Sequence, residues 1–280
     1  MQQICIPGTT IETSKLGVGT ASLHHIFRAS DRQTLLSTAV DAGFTHFDTA
    51  RMYGEGMAER ALGGFLAGGL RQKVTIATKF GLPAMPLFER CPALIYPQRA
   101  VGSLFRRLGC GSRTERERLL SPADAESSLA KSMKALRTDW LDILFVHEPQ
   151  IGDISKLGDL VEWLTRQKSS GRVRYLGLAG NAINCSQVAK QVEGVFDILQ
   201  VEDSVAGCEA DVVESAGLPL QVTFGYLRKA AEQRSESAPH PDALTVMKEA
   251  LARNLNGMVL VSTRKAHRLW DLAALAEKGD

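Results

Sequence analysis

The stretch AGFTHFDTARMYGEGMAER, residues 42–60, decides how the rest of the chain is read. Its segment FTHFD (44–48) is a short aromatic and β-branched run that ends on an acid, Asp48. Tyr53 follows within a glycine-bearing turn, and residues 57–69 then take up the amphipathic spacing of a helix. A strand, a turn and a helix in that order could belong to an open sheet that binds a dinucleotide through G-x-G-x-x-G. Gly54 and Gly56 fit that fingerprint, but its last position is Glu59 and a tyrosine precedes the first glycine. The fingerprint is therefore rejected, and the turn must serve another purpose.

The same unit recurs along the chain. Strands are predicted near residues 16–19, 44–48, 74–79, 141–147, 173–179, 196–201, 220–224 and 257–262. Helices are predicted at 32–42, 57–69, 122–137, 155–170, 185–193, 209–216, 241–254 and 265–276. Ser121-Pro122 caps the start of one helix and Gly171 closes another. Eight alternations without a break in composition predict a single α/β domain over 1–280, a (β/α)8 TIM barrel. A doubly wound open sheet is the competing arrangement.

Bulk properties narrow the function classes. The 280 residues are 44% hydrophobic and 23% charged with net charge +2, and mean hydropathy is −0.07. That composition supports a sizeable core and gives no reason to expect a nucleic-acid partner or a membrane span. The N-terminus lacks a charged head followed by an apolar stretch, so a cytoplasmic protein without a signal peptide is expected. Cys5, Cys91, Cys110, Cys185 and Cys208 are scattered, which predicts free thiols and no metal site.

One connection stands apart. Residues 81–120 are read as an active-site lid loop, since so long a connection in a compact domain usually covers a site. Arg106, Arg107, Arg113, Arg116 and Arg118 are read as a solvated face, diluted by Glu115 and Glu117.

In a (β/α)8 barrel the strands deliver chemistry from their C-terminal ends. The second predicted strand ends at Asp48 with Tyr53 just beyond, the third at Lys79 and the fourth at His147. These four suit reduction of a carbonyl. Hydride arriving at carbon builds charge on oxygen, and tyrosine, with an ordinary pKa of about 10, can protonate it if a cation assists. Lys79 is expected to supply that cation, Asp48 to hold it, and His147 to orient the carbonyl.

With these residues in place, the chain resembles the aldo-keto reductase superfamily from about residue 8 to residue 272. SKLGVGTASL is similar to its first barrel strand, and DAGFTHFDTARMYGEGMAERALGGFL to its Asp/Tyr signature. SSLAKSMKALRTDWLDILFVHEP and GRVRYLGLAG are similar to the segments carrying its fourth and fifth strands. The resemblance implies a barrel that binds NADPH or NADH extended across its mouth, with the same four catalytic residues. It also implies cofactor contacts from Gly19 and Thr20, Ala179 and Gly180, Gln200, Phe224, Thr263, Arg264 and Arg268. Ala179 and Gly180 depart from the family's usual Ser-Asn and leave a sugar-dehydrogenase-like branch open. Leu272 stands where the family places an adenine-contacting Asn.

The implied activity is transfer of hydride between NADP, with NAD as the alternative, and a small aldehyde, ketone or sugar. A cofactor-binding regulatory subunit with little turnover is the alternative use of such a barrel. The chain ends soon after the eighth helix, so the 81–120 loop is expected to do more of the closing over substrate. His24 and His25 are expected to line the mouth.

Overall fold

The computed structural model describes residues 1–91, 94–96, 116–233 and 242–277. The chain begins with an antiparallel hairpin, β1 (Gln3–Cys5) and β2 (Glu12–Ser14), that the sequence pattern does not announce. Eight parallel strands follow: β3 (Leu16–Gly19), β4 (His46–Asp48), β5 (Thr75–Phe80), β6 (Leu141–His147), β7 (Val173–Gly180), β8 (Ile198–Glu202), β9 (Val222–Phe224) and β10 (Met258–Val261). They hydrogen-bond in chain order, and β10 pairs back on β3 to close the barrel. The expected TIM barrel is what the chain forms.

The outer helices are α1 (Ala29–Asp41), α2 (Met57–Leu66), α3 (Pro86–Arg90), α4 (Pro122–Leu136), α5 (Leu157–Ser169), α6 (Ala182–Gln191), α7 (Asp211–Ser215), α8 (Tyr226–Glu232), α9 (Ala243–Arg253) and α10 (His267–Leu275). The short α3 and α8 are additions in the connections after β5 and β9. Ser121 caps α4 by accepting from the Asp124 N–H at 3.1 Å, with Pro122 in the first turn. Gly171, at φ 77, follows the end of α5. Among the described residues no helix is long and apolar enough to cross a membrane.

Two apolar clusters hold the layers. One lies between barrel and helices and includes Leu36, Phe47, Leu62, Leu144 and Leu269. The other fills the barrel with Ala77, Ile143, Phe145, Ile198, Val222 and Met258, plugged from below by Ile6 and Ile11 of the hairpin loop. Each such Leu, Ile or Phe removed from water contributes about 1.5–3 kcal/mol. Gly177 makes room for the inner layer: a Cβ there would stand 2.5 Å from the Phe145 ring. Gly63 does the same between helices, since its Cβ would meet the Ala135 carbonyl oxygen at 2.0 Å where α2 crosses α4.

Five strands (β4, β5, β8, β9 and β10) start one or two residues later than the sequence pattern predicts, and side chains make the links at the barrel's base. Thr45 and Ser14 exchange backbone-to-hydroxyl bonds of 2.8 and 2.9 Å, tying the approach to β4 to the hairpin. Gln221 accepts from the Leu199 N–H at 2.7 Å and donates to the carbonyls of Pro7 and Asp197, each at 2.7 Å. Lys15 donates to the carbonyls of Asn254, Leu255 and Gly257 at 2.6–2.7 Å, capping α9 and anchoring the approach to β10. Burial pushes its pKa down to about 8.

His46 is enclosed at the same level, with its Nδ1 2.8 Å from Thr75 Oγ1. Burial, assisted by the charge of Lys79, pushes its pKa down to about 3. A histidine that must stay neutral in the fold takes up a proton on unfolding below its ordinary pKa. Its contribution to stability is thus complete above about pH 6.5 and is lost as pH falls toward 3. By pH 5 the loss reaches about 2 kcal/mol. We expect urea unfolding of His46→Gln between pH 7 and 5 to show a correspondingly flatter stability profile than the wild type; equal slopes would remove His46 as a source of acid sensitivity.

Candidate active site

The turn after β4 reverses the chain within eight residues. Glu55, Gly54 and Gly56 adopt φ values of 55, 57 and 81°, and Gly56 caps α2. At Gly54 a Cβ would stand 2.4 Å from His24 Cβ, so glycine is required by both conformation and space. This reversal brings Tyr53 back over the barrel mouth. Its ring meets His147 edge to face, with centroids 6.0 Å apart, and lies 5.1 Å from Lys79 Nζ.

Lys79 is ion-paired with Asp48, and its ammonium also donates to the Thr49 carbonyl at 3.1 Å. Both partners are 2% exposed. Gln200, buried beside Asp48, favours its charged form. The four residues read from strand ends therefore converge. The glutamate that broke the dinucleotide fingerprint is structural: Glu59 is fully buried, accepts from Arg51 at 2.5 Å and from Thr78 Oγ1 at 2.8 Å, and so locks α2 to β5.

The electrostatics differ from the sequence expectation in one respect. Lys79 was expected to make Tyr53 a stronger acid, but the tyrosine pKa lies well above its ordinary value. Burial is the main cause, reinforced by the negative charges of Asp48 and Glu148. The ammonium is largely offset by its carboxylate partner, so the hydroxyl holds its proton firmly. Burial raises the pKa of Asp48 against the opposing pull of Lys79, and lowers that of Lys79 against Asp48. His147 is held neutral by burial, with the charge of Lys79 adding to the effect.

A cleft of about 370 Å³ opens beside this group and runs from Asp48 and Tyr53 past Gln200 and Phe224 to Ser262. Gly19 borders it. Thr20 does not: its hydroxyl and N–H both bond the Asp48 carbonyl, at 3.0 and 2.9 Å, and fix β3 to β4. Gln200 Oε1 is buried without a hydrogen-bond partner, as is His147 Nδ1. Phe224 is half-buried and serves both cleft and core. Ala179 and Gly180 stand in register with Gln200 and Val201 but outside the cleft lining.

Beyond Ser262 the chain turns into α10. Thr263 is half-buried and accepts from the Lys265 N–H at 3.2 Å, while Arg264 and Arg268 are exposed and make no ion pair among the described residues. Leu272 packs in the core beneath α10.

The sequence reading missed Glu148, Arg228 and Tyr226 near the mouth. A charge directly after the β6 histidine was the available signal for Glu148. His25 does border the cleft, and His24 is buried against the Tyr53 turn. Of the lid arginines, Arg106, Arg107 and Arg113, like Cys110, lie outside the described residues. Arg116 and Arg118 are not a solvated face. Arg116 Nη2 bonds Glu55 at 2.5 Å, and Arg118 bonds Asp153 at 2.8 Å and Gln150 at 2.7 Å, tying the loop's end to the mouth. No metal-binding cluster occurs among the described residues.

A family model described as Aldo/keto reductase family matches residues 15–215. D-threo-aldose 1-dehydrogenase of a Pseudomonas species is 28% identical over 190 residues, 66% of this chain and 55% of that protein. NADH-specific methylglyoxal reductase of Escherichia coli K12 is 27% identical over 213 residues, 73% of this chain and 60% of that protein. The aligned region thus spans little more than half the length of these curated relatives. Among solved structures, an aldo-keto reductase of Klebsiella pneumoniae in complex with NADPH superimposes with a TM-score of 0.67 at 19% identity, covering 99% of this chain and 90% of that one.

The buried pair gives a direct test of coupling. Removing either charge alone strands the other in the barrel, at a cost of about 3–5 kcal/mol, whereas removing both costs less than the sum. Urea unfolding of Asp48→Asn, Lys79→Met and the double variant is expected to show this non-additivity; additive effects would mean that the two charges do not depend on each other.

Proposed function

Since the chain belongs to the aldo/keto reductase family, we propose that it interconverts a small carbonyl compound and its alcohol, with Tyr53 as the proton-donating and proton-accepting group. The substrate class is an aldehyde, ketone or sugar, and the cofactor is NADP in preference to NAD. The observation that carries this reading is the convergence of Tyr53, the Lys79–Asp48 pair and His147 at one mouth, beside a cleft with a buried, unpartnered amide oxygen.

The residues present suit a nicotinamide dinucleotide. Gln200 Oε1 would accept from the carboxamide, with no help from the hydroxyl-free Ala179 or from Gly180. Phe224 offers an aromatic face to the ring. Thr263, Arg264 and Arg268 would hold the 2′-phosphate, the guanidinium groups being free for paired hydrogen bonds. When bound, the nicotinamide exchanges hydride with the carbonyl carbon.

The protein's own part is to manage the proton. A carbonyl oxygen seated between Tyr53 and His147 receives a hydrogen bond from the tyrosine hydroxyl. His147, neutral because it is buried, orients that oxygen without adding charge. As negative charge grows on the oxygen, Tyr53 releases its proton to it, and Lys79 lies close enough to stabilise the phenolate left behind. In the oxidative direction the same groups work in reverse. The raised pKa of Tyr53 keeps the proton in place until the oxygen becomes basic.

A general acid typically contributes a factor of about 10²–10⁴. We therefore expect Tyr53→Phe to reduce carbonyl-dependent NADPH oxidation by about a hundredfold or more, with NADPH affinity measured by fluorescence quenching unchanged. Full activity in that variant would remove the mechanism. Tight NADPH binding by the wild type with no turnover across a broad carbonyl panel would instead favour a regulatory subunit. Replacing both Arg264 and Arg268 with alanine should weaken NADPH binding by about tenfold or more while sparing NADH; equal losses for both nucleotides would place the 2′-phosphate elsewhere.

A further inference from the structure

Glu148 directly follows His147 and occupies a costly position. Its φ of 51° lies in the left-handed region, and its N–H is pinned to the Ala179 carbonyl at 2.7 Å. The side chain is equally constrained. A Cβ on Gly180 would stand 2.6 Å from Glu148 Oε2, so the absence of a side chain at the end of β7 gives the carboxylate its place. The nearby Asn181 N–H favours its charged form there. The residue is nonetheless exposed at the mouth.

Among the described residues no lysine or arginine forms an ion pair with Glu148. The cations nearest in effect are Lys79 on β5, Arg118 before α4 and Arg228 on α8. Each is already paired, with Asp48, with Asp153, and with Glu202 and Glu232 respectively. Glu148 therefore lacks an ion-pair partner among the described residues, and its charge acts on Tyr53 and Cys185. Burial raises its pKa, while the Asn181 N–H and the three cations favour its charged form. A carboxylate has about four acceptor sites, and among the described residues no side chain donates to this one.

We propose that Glu148 is a specificity-determining residue, accepting hydrogen bonds from the hydroxyl groups of neutral carbonyl substrates and repelling substrates that carry a carboxylate. The proposal rests on the reductase reading of the site. It gives a role to the two oddities of this mouth, a left-handed glutamate and a strand end stripped to glycine, as one arrangement that holds a carboxylate at the barrel mouth directly after His147. Specificity of this kind comes from the repulsive element as much as from the attractive one.

The test uses two aldehydes that differ only in the group beside a shared CH(OH)–CHO unit: glyceraldehyde, with CH2OH, and tartronate semialdehyde, with a carboxylate. At about pH 8 and low salt, where a like charge nearby is weakly screened, wild-type kcat/KM is expected to favour glyceraldehyde by about tenfold. Glu148→Gln keeps the shape and removes the charge, and should bring the ratio to within about threefold. Glu148→Asp should restore most of the preference. A change in fold stability alone would alter both substrates together and leave the ratio unmoved.

An unchanged ratio in Glu148→Gln, or no preference in the wild type, overturns the proposal. Should the wild type oxidise neither NADPH nor NADH with either aldehyde, the reductase reading fails on its own. Glu148 is then judged by calorimetric binding of tartronate and glycerol. Tartronate binding at least about fivefold tighter in Glu148→Gln, with glycerol binding not tightened, supports its role, and equal tartronate affinity removes it.

Discussion

The buried ion pair between Lys79 and Asp48 is the constraint on which the mouth of this barrel depends. Two charges at 2% exposure are costly to desolvate, and the structure offsets that cost with a second acceptor for the ammonium at Thr49 and the nearby amide of Gln200, which favours the charged carboxylate. Each support comes from a different part of the wall. The Thr49 N–H is itself bonded to the Ala77 carbonyl at 2.9 Å, so the turn that carries Tyr53 departs from a point fixed to β5. The position of the tyrosine is thus a consequence of where the charges are held. Its acidity follows too: because the pair is nearly neutral as a unit, Tyr53 feels burial more than it feels a cation.

Strand ends were legible in the sequence for a reason particular to closed barrels. A buried parallel strand is mostly apolar, and an unpaired charged residue is tolerated mainly where the strand reaches an end of the barrel. Runs such as VTIATK and LDILFVH therefore announce a strand and the approach to its end, which comes at Phe80 in β5 and at His147 in β6. Asp142, buried at the base of β6 and paired with Arg71 and Arg174, is the exception. Three-residue strands have no period to detect, which is why β1 and β2 were silent, and α8 is barely two turns. Glu59 was informative only as a misfit. Its partner Arg51 lies eight residues away on the far side of a left-handed turn, and no helical or strand spacing links them. Glu148 was hidden by its backbone: a strand pattern predicts alternation, whereas a residue at φ 51° leaves the strand altogether.

The cofactor-facing residues were legible unevenly, and the unevenness has a physical basis. Phe224 reaches the cleft because β9 ends there, and Gln200 borders it from two residues before the end of β8. Thr20 looks equally well placed in sequence, yet both its polar groups are used by the Asp48 carbonyl. Ala179 and Gly180 sit at the right height, but the local space belongs to Glu148. Position along a strand fixes height in the barrel. Which neighbour claims each hydrogen bond depends on pairings that sequence spacing does not contain.

The two ends of the barrel also treat polar groups differently. At the base, Ser14, Lys15, Thr45, Gln221 and Asn254 are all hydrogen-bonded, and they replace strand ladder where the ladder stops short. At the mouth, Thr49 Oγ1, His147 Nδ1 and Gln200 Oε1 are buried and lack partners. A buried polar atom left unpaired costs about 1–3 kcal/mol, so three of them at one end are a burden that the base of the same barrel avoids. That burden is relieved if molecules from outside complete the bonds. The asymmetry separates the two ends of the barrel on grounds apart from the ion pair: polar groups at the base serve the fold, whereas those buried at the mouth keep unused bonding capacity.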